Sequence, residues 1–403
     1  MDDVLVEQLG ATYRDLHAHP ELSGAETRTA AVASSWLGER GYEVIDGVGG
    51  TGVVGLLRTG PGPVVLLRAD MDALPVTEAT GLPYSSVVDE VMHACGHDVH
   101  VTCLLGAAHE LAAARDSWEG TVVVVFQPAE ETASGAQAMI DDGLFERVPR
   151  PTVVLGQHVA PIPAGVLGLR SGPAFAATDT LRVTMFGAGG HGSRPETTVD
   201  PVLMAASTVQ RWQGIVSREV AGTQTAVLTV GALHAGTKAN IVPDRAEMLL
   251  SVRTFEDTVR ERVLAAIERI ARAEAQASGA PKPPLIETLE TAPAVVNDPA
   301  AAGRTQQALE QLVGPGRVLD PGPVTGSEDV GLLAAAAEAP LVFWLLGGAD
   351  PALFAGASTV EETMQVVAGL PSNHSPHYAP APEPTLRIGA AALTAAARQW
   401  LAG

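Results

Sequence analysis

Short runs of uninterrupted apolar residues punctuate the early part of the chain and recur near its end. They are "VVLL" (64–67), "TVVVVF" (121–126), "TVVLG" (152–156) and "LVFWLL" (341–346). Runs of four to six without polar alternation predict strands buried on both faces of a largely parallel sheet. Helical patterns lie between them. "SGAETRTAAVASSWLGERG" reads as a helix opened by a capping box of Ser23 and Glu26 and ended at Gly41. Residues 98–114 and the C-terminal "PTLRIGAAALTAAARQWLA" are predicted helices too. The pattern is that of an α/β domain whose mostly parallel sheet is covered by helices.

The middle of the chain has a different period. "DTLRVTMFG" (179–187) alternates apolar and polar, as a half-exposed strand does, and a helix is predicted around 199–217. Strands near 224–234 and 242–254 follow. "DTVRERVLAAIERIARAEAQ" then places Val259, Val263, Ile267 and Ile270 on one helical stripe, and a last strand lies near 284–290. The order β-α-β-β-α-β is the ferredoxin-like split unit, an α+β domain inserted into the larger one. The predicted boundaries give the larger domain residues 1–177 and 291–403 and the insert residues 178–290. Small residues at 171–178 and "GAPKPP" mark the hinges.

A chain of 403 residues is long enough for two cores, so composition agrees with this division. Charge narrows the partners: 25 basic against 46 acidic residues give −21. Nucleic acid and anionic membranes bind through clusters of Lys and Arg, so neither is an expected partner. The N-terminus lacks a basic stretch followed by an apolar core, and no apolar run reaches 18 residues, so a cytoplasmic location is expected. Two cysteines, Cys95 and Cys103, make no disulfide framework.

"MHACGHDVH" (92–100) packs His93, Cys95, His97 and His100 into a stretch that precedes a predicted helix. A thiolate and imidazoles at this density suggest a metal, although a lone cysteine is commonly buried filler. Ligands of parallel sheets bind beyond the carboxyl ends of the strands. "VVLL" runs into "RADMD", with Arg68, Asp70 and Asp72; "TVVVVF" runs into "QPAEE", with Glu130 and Glu131; "TVVLG" runs into His158. Polar groups from separate segments therefore converge on one rim. Two adjacent carboxylates can divide the work of metal hydrolysis, one as ligand and one as base. His93 and His100 are read as structural, and His17, His19, His109, His234 and His377 receive no role.

"LHAHPELSGAETRTA", "LLRADMDALPVTE", "HACGHDVHVT", "FQPAEETASGA", "GAGGHGSRP", "NIVPDRAEM" and "NHSPHYAP" occur in this order. Together they resemble the M20 metallopeptidase family. More narrowly, they resemble its amidohydrolase branch of hippurate hydrolases, N-acyl-amino-acid amidohydrolases and auxin-conjugate hydrolases. The resemblance implies a zinc-peptidase-like catalytic domain with two divalent metal ions (Zn, Mn, Co or Ni) and a ferredoxin-like lid that forms homodimers. Its implied ligands are Cys95, His97, Glu131, His158 and His374, with Glu130 as general base and Asp70 as a carboxylate orienting a ligand. Where other branches present a metal-binding His-x-Asp, this chain has Arg68-Ala69-Asp70, and arginine cannot ligate. Cys95 would replace the lost ligand or bridge the metals. In the lid, His191 resembles a histidine that stabilises the oxyanion in a partner subunit, and Asn240 and Arg253 resemble residues holding the substrate's polar end. Glu328 and Asp329 of "GSEDVG" are expected to support ligands or cap a helix.

The activity so implied is hydrolysis of the amide bond of small N-acyl amino acids, releasing a carboxylic acid and an amino acid. A dipeptidase or aminocarboxypeptidase of the same family is the nearest alternative. An inactive binding protein with the same fold is the alternative of another class, and the presence of every implied ligand argues against it.

Overall fold

The computed structural model describes residues 1–402. The chain divides into two compact units. One comprises Met1–Ala174, Val296–Gly322 and the chain from Asp329 onward; the other comprises Phe175–Val295 with Pro323–Glu328. The boundaries expected at 177 and 290 thus fall at 174 and 295. Pro323–Glu328 joins the second unit because the Ala176 N–H donates to the carbonyls of Val324 and Gly326, each at 3.0 Å. No hydrophobic period announces a contact between residues so far apart in sequence.

The first unit is built on an eight-stranded sheet. Its spatial order is Glu43–Val48, Gly52–Arg58, Thr121–Gln127, Val64–Asp70, Val153–Pro163, Leu341–Ala349, Leu167–Gly168 and Val318–Leu319. The four central strands run parallel to one another, and each matches one of the apolar runs. They are almost wholly buried because helices cover both faces. Glu43–Val48 and Gly52–Arg58 extend one side antiparallel. Leu167–Gly168 pairs antiparallel with Leu341–Ala349 on the other. Helix His97–Ala113 is buried on nearly every side, so it shows little amphipathic period. Pro382–Leu401 packs on it closely: a Cβ at Gly389 would lie 2.5 Å from Cys103 Sγ.

The capping box does not form. Helix Thr27–Glu39 begins after Glu26, whose side chain makes no cap bond. Ser23 Oγ instead donates to Asp72 at 2.6 Å. Glu26 turns inward and is fully buried. Both residues of the apparent cap are recruited by the rim of the sheet.

The second unit has four antiparallel strands in the order Ala226–Ala235, Arg245–Thr254, Ala177–Phe186 and Leu285–Ala292. Helices Pro201–Glu219 and Asp257–Ala277 complete the ferredoxin-like arrangement. Arg245–Thr254 alternates buried and less buried positions along its length, the signature of a sheet with one face on a core. The predicted stripe Val259, Val263, Ile267 and Ile270 is buried. Trp212 Nε1 donates to the Ile267 carbonyl at 3.1 Å and ties the two helices together. No described helix is long and apolar enough to cross a membrane.

Candidate metal centre

The helix His97–Ala113 starts at the rim, and the two residues before it explain the sequence Cys-Gly-His. Gly96 has φ +86°, and a Cβ there would lie 2.5 Å from Val159 Cγ1. Only glycine fits this left-handed, crowded turn, which brings Cys95 and His97 to the same side. Cys95 Sγ is 3.4 Å from His158 Nε2. His158 Nδ1 donates to the Val159 carbonyl at 2.8 Å, so the Nε2 lone pair faces the thiol. His158 lies within strand Val153–Pro163, opposite Leu345, and not beyond its end as expected.

Across the rim, His97 Nε2 is 3.8 Å from Glu130 Oε2 and 3.8 Å from Glu131 Oε1. His374 Nε2 is 3.4 Å from Glu131 Oε2. The donor atoms form overlapping sets. Cys95, His97 and His158 come together, as do Cys95, Glu131 and His374, with all atoms of a set within 4.8 Å of one another. Cys95 belongs to both. His97 Nε2 and Glu131 Oε1 are buried and have no hydrogen-bond partner among the described residues. Buried polar atoms are normally satisfied, and orphaned lone pairs converging on one point fit a divalent cation. Mixed S, N and O donors suit a borderline-soft metal ion.

The supporting shell fixes these donors. Asp72 Oδ1 accepts from His97 Nδ1 at 3.2 Å, and Asp72 Oδ2 accepts from the Glu131 N–H at 2.9 Å. Asp70, the carboxylate expected to orient a ligand, is 3.8 Å from His97 Nδ1 and binds His100 Nδ1 at 2.5 Å instead. The hydrogen bond to His97 is therefore Asp72's. His100 Nε2 accepts from the Val159 N–H at 2.8 Å, so both its nitrogens are spent on the scaffold. Glu26 Oε1 accepts from the Ala129 N–H at 2.9 Å and steadies the segment before Glu130. Asn373 Nδ2 donates to the carbonyls of Cys95 at 2.9 Å and Val159 at 3.2 Å. His374 itself has φ +71° and donates its N–H to the Ala94 carbonyl at 2.8 Å. Asn373 sits inside a quoted motif, yet its type alone gave no sign of this bridging.

Electrostatics follow from burial and these partners. Burial pushes the Cys95 thiol up to about 12, with His97 only partly offsetting it. Burial also raises the Asp70 carboxyl, but Arg68, His97 and His100 outweigh it and hold it well below the usual range. Asp72 is lowered as well, its burial overcome by His97, Ser23 and the Glu131 N–H. His97 is raised because Asp70, Cys95 and Asp72 outweigh its desolvation. His158 is lowered by burial and the neighbouring His100.

His17, assigned no role from sequence, is fully buried. It joins Asp98 at 2.6 Å and Glu78 at 3.3 Å. Burial opposes its charge, but the two carboxylates prevail and raise it to about 9. His93 is also buried, with neither ring nitrogen bonded among the described residues, and burial lowers it to about 4. Asp329 precedes helix Val330–Ala337 but makes no side-chain cap bond to it, so the helix-capping expectation fails for its own helix. In the second unit, strand Gly190–His191 pairs with Ile241–Val242, and the Gly192 N–H donates to the Asn240 carbonyl at 2.8 Å. His191 and Asn240 are thus neighbours. Arg253 lies on the main sheet of that unit, and its Nη1 is buried without a hydrogen-bond partner among the described residues.

The sequence pattern of peptidase family M20/M25/M40 matches residues 66–398. An N-acetylcysteine deacetylase of Bacillus subtilis is 39% identical over 277 residues, covering 66% of this chain and 70% of that protein. A hippurate hydrolase of Campylobacter jejuni is 40% identical over 319 residues, covering 78% and 82%. The crystal structure of a dinuclear metal-binding peptidase of the M20 family from Bacillus subtilis matches with a TM-score of 0.79 and 30% identity. It covers 99% of this chain and 100% of that one. The chain belongs to peptidase family M20/M25/M40, in its metal-dependent amidohydrolase branch.

Proposed function

We propose that this protein hydrolyses the amide bond of small N-acyl amino acids at a two-metal site held by Cys95, His97, Glu131, His158 and His374. The observation that carries the reading is the convergence of the orphaned His97 Nε2 and Glu131 Oε1 with the shared thiol of Cys95. The two named relatives, a deacetylase of N-acetylcysteine and a hydrolase of hippurate, support an N-acyl amino acid as substrate. Zn, Mn, Co and Ni all suit this donor set. Bound there, such ions polarise a carbonyl and make a water more acidic.

The chain's own groups do the rest. Glu130 stands beside His97 but is not needed as a ligand. Its carboxylate takes a proton from the attacking water and returns it to the amide nitrogen as the C–N bond breaks, so the products are a carboxylic acid and an amine. His191 donates to the oxygen that gains charge in the transition state. Asn240 and Arg253 hold the substrate's carboxylate, with Arg253 suited to two-pronged recognition. Pairing of two lid units makes a homodimer in which His191 serves the partner's centre. The cytoplasm, with its reduced thiols, is the compartment that keeps Cys95 able to ligate.

A panel of N-acetyl, N-benzoyl and long-chain N-acyl amino acids, with free-amine dipeptides alongside, tests the reading. Preferential hydrolysis of the acylated substrates is expected. Dominant turnover of dipeptides would overturn it.

A further inference from the structure

Asp329 is fully buried and belongs to no metal-ligand set proposed above. It nevertheless accepts three hydrogen bonds. Oδ1 accepts from Arg68 Nη2 at 3.0 Å and from Gln127 Nε2 at 2.7 Å. Oδ2 accepts from the Ala136 N–H at 3.0 Å. We propose that Asp329 is a positioning residue of the metal centre, fixing the segment that carries Glu130 and Glu131 and, through Arg68, the support of His158. The proposal rests on the ligand assignment of the preceding section.

The first arm is a clamp. Gln127 ends strand Thr121–Gln127, and Ala136 lies at the start of helix Gly135–Asp141. One carboxylate thus grips both ends of residues 128–134. Within that segment Ala129 and Ala133 each hold φ +49°, a left-handed conformation that costs energy for any residue with a Cβ. Such a segment keeps its shape only when its surroundings over-determine it.

The second arm is a chain of buried partners. Arg68 Nε donates to Gln127 Oε1 at 2.9 Å, and Arg68 Nη1 donates to Asp70 Oδ2 at 2.5 Å. Asp70 Oδ1 binds His100, which in turn holds the Val159 N–H next to His158. Arg68, which cannot ligate, thereby links the two carboxylates. Every partner of Asp329 named here is a donor. An amide in its place must turn an N–H towards one of them and break that arm without changing volume.

If Asp329 only capped the Ala136 N–H, Asp329→Asn would be silent, because asparagine keeps one acceptor. The full-length protein and its variants are titrated with zinc against a chromophoric chelator, and kcat and KM are measured on an N-acetyl amino acid. Asp329→Asn should weaken zinc binding by about 10–100-fold, the usual cost of losing a ligand's support, with KM little changed. In Gln127→Glu/Asp329→Asn, the new carboxylate at position 127 meets Arg68 Nε and the new amide at position 329. That amide keeps its oxygen for Ala136, so most of the lost affinity should return. Gln127→Met, which severs one arm alone, should also weaken zinc binding. Wild-type zinc affinity in Asp329→Asn would overturn the proposal, as would a loss that the double variant does not relieve. Should Asp329→Asn fail to fold, wild-type affinity in Gln127→Met overturns it. If the unaltered protein does not cleave N-acyl amino acids, the functional reading falls while the zinc affinities still decide this one.

Discussion

His17→Gln removes the one imidazole that joins Asp98 and Glu78 in the interior of the first unit. The two carboxylates raise His17 to about 9 from an ordinary 6.5, against the desolvation that opposes its charge. At about 1.4 kcal/mol for each pH unit, this gap gives about 3 kcal/mol. The folded state binds the proton more tightly than the unfolded state. The contribution is therefore fully present below pH 6.5 and declines as pH rises through about 9. Asp98 agrees in sign: burial raises it, but His93 and His17 hold it low. Urea denaturation of both proteins across this range reads the difference directly. The wild type should exceed His17→Gln by about 3 kcal/mol more near pH 6 than near pH 10. A stability difference that stays flat across that range would refute the charged triad. Asp98 directly follows His97 and Glu78 anchors the Ser86 N–H at 2.6 Å, so the variant should also loosen metal binding.

Other outcomes follow from the same geometry. Cys95 should be protected from thiol reagents when metal is bound and become reactive after chelation; equal labelling in both states would make it mere core filler. Because burial pushes this thiol up to about 12, zinc binding should release a proton and strengthen as pH rises, which calorimetry in buffers of different ionisation enthalpy measures. If the lids pair as proposed, mixing the inactive Glu130→Gln and His191→Ala proteins should restore activity through mixed dimers. No recovery in verified heterodimers would mean that His191 acts within its own chain or not at all.

Much of this architecture was legible because burial on both faces leaves an unmistakable trace. "TVVVVF" and "LVFWLL" correspond to strands Thr121–Gln127 and Leu341–Ala349. The stripe from Val259 to Ile270 lies inside Asp257–Ala277. Glu43–Val48 left no such trace, since only Val48 in it is buried, and the glycines of Gly52–Arg58 interrupt its run. Ser23 and Glu26 had the spacing of a local cap, but long-range partners Asp72, Thr51 and Ala129 claimed them. Glu131 was legible from its place past a strand end, and Cys95 and His97 from their types at a helix start, whereas His374 entered only through the family resemblance. Their surroundings were only half legible: Asp72 was placed at the rim and Asp329 was expected to support ligands or cap a helix, but the partners of both, and those of His17 and Asn373, are distant in sequence and appear only in the folded chain.

Glu130 as a base beside two metal ions it does not hold is tested by the metal content and turnover of Glu130→Gln. The substitution keeps size and hydrogen-bonding capacity but cannot hold a proton in transit. Metal analysis of the purified variant should find two divalent ions per chain, as in the wild type. Hydrolysis of an N-acyl amino acid should fall by about 10²–10⁴-fold, the range general acid–base catalysis contributes. Full metal occupancy with near-normal turnover would mean that Glu130 is not the base.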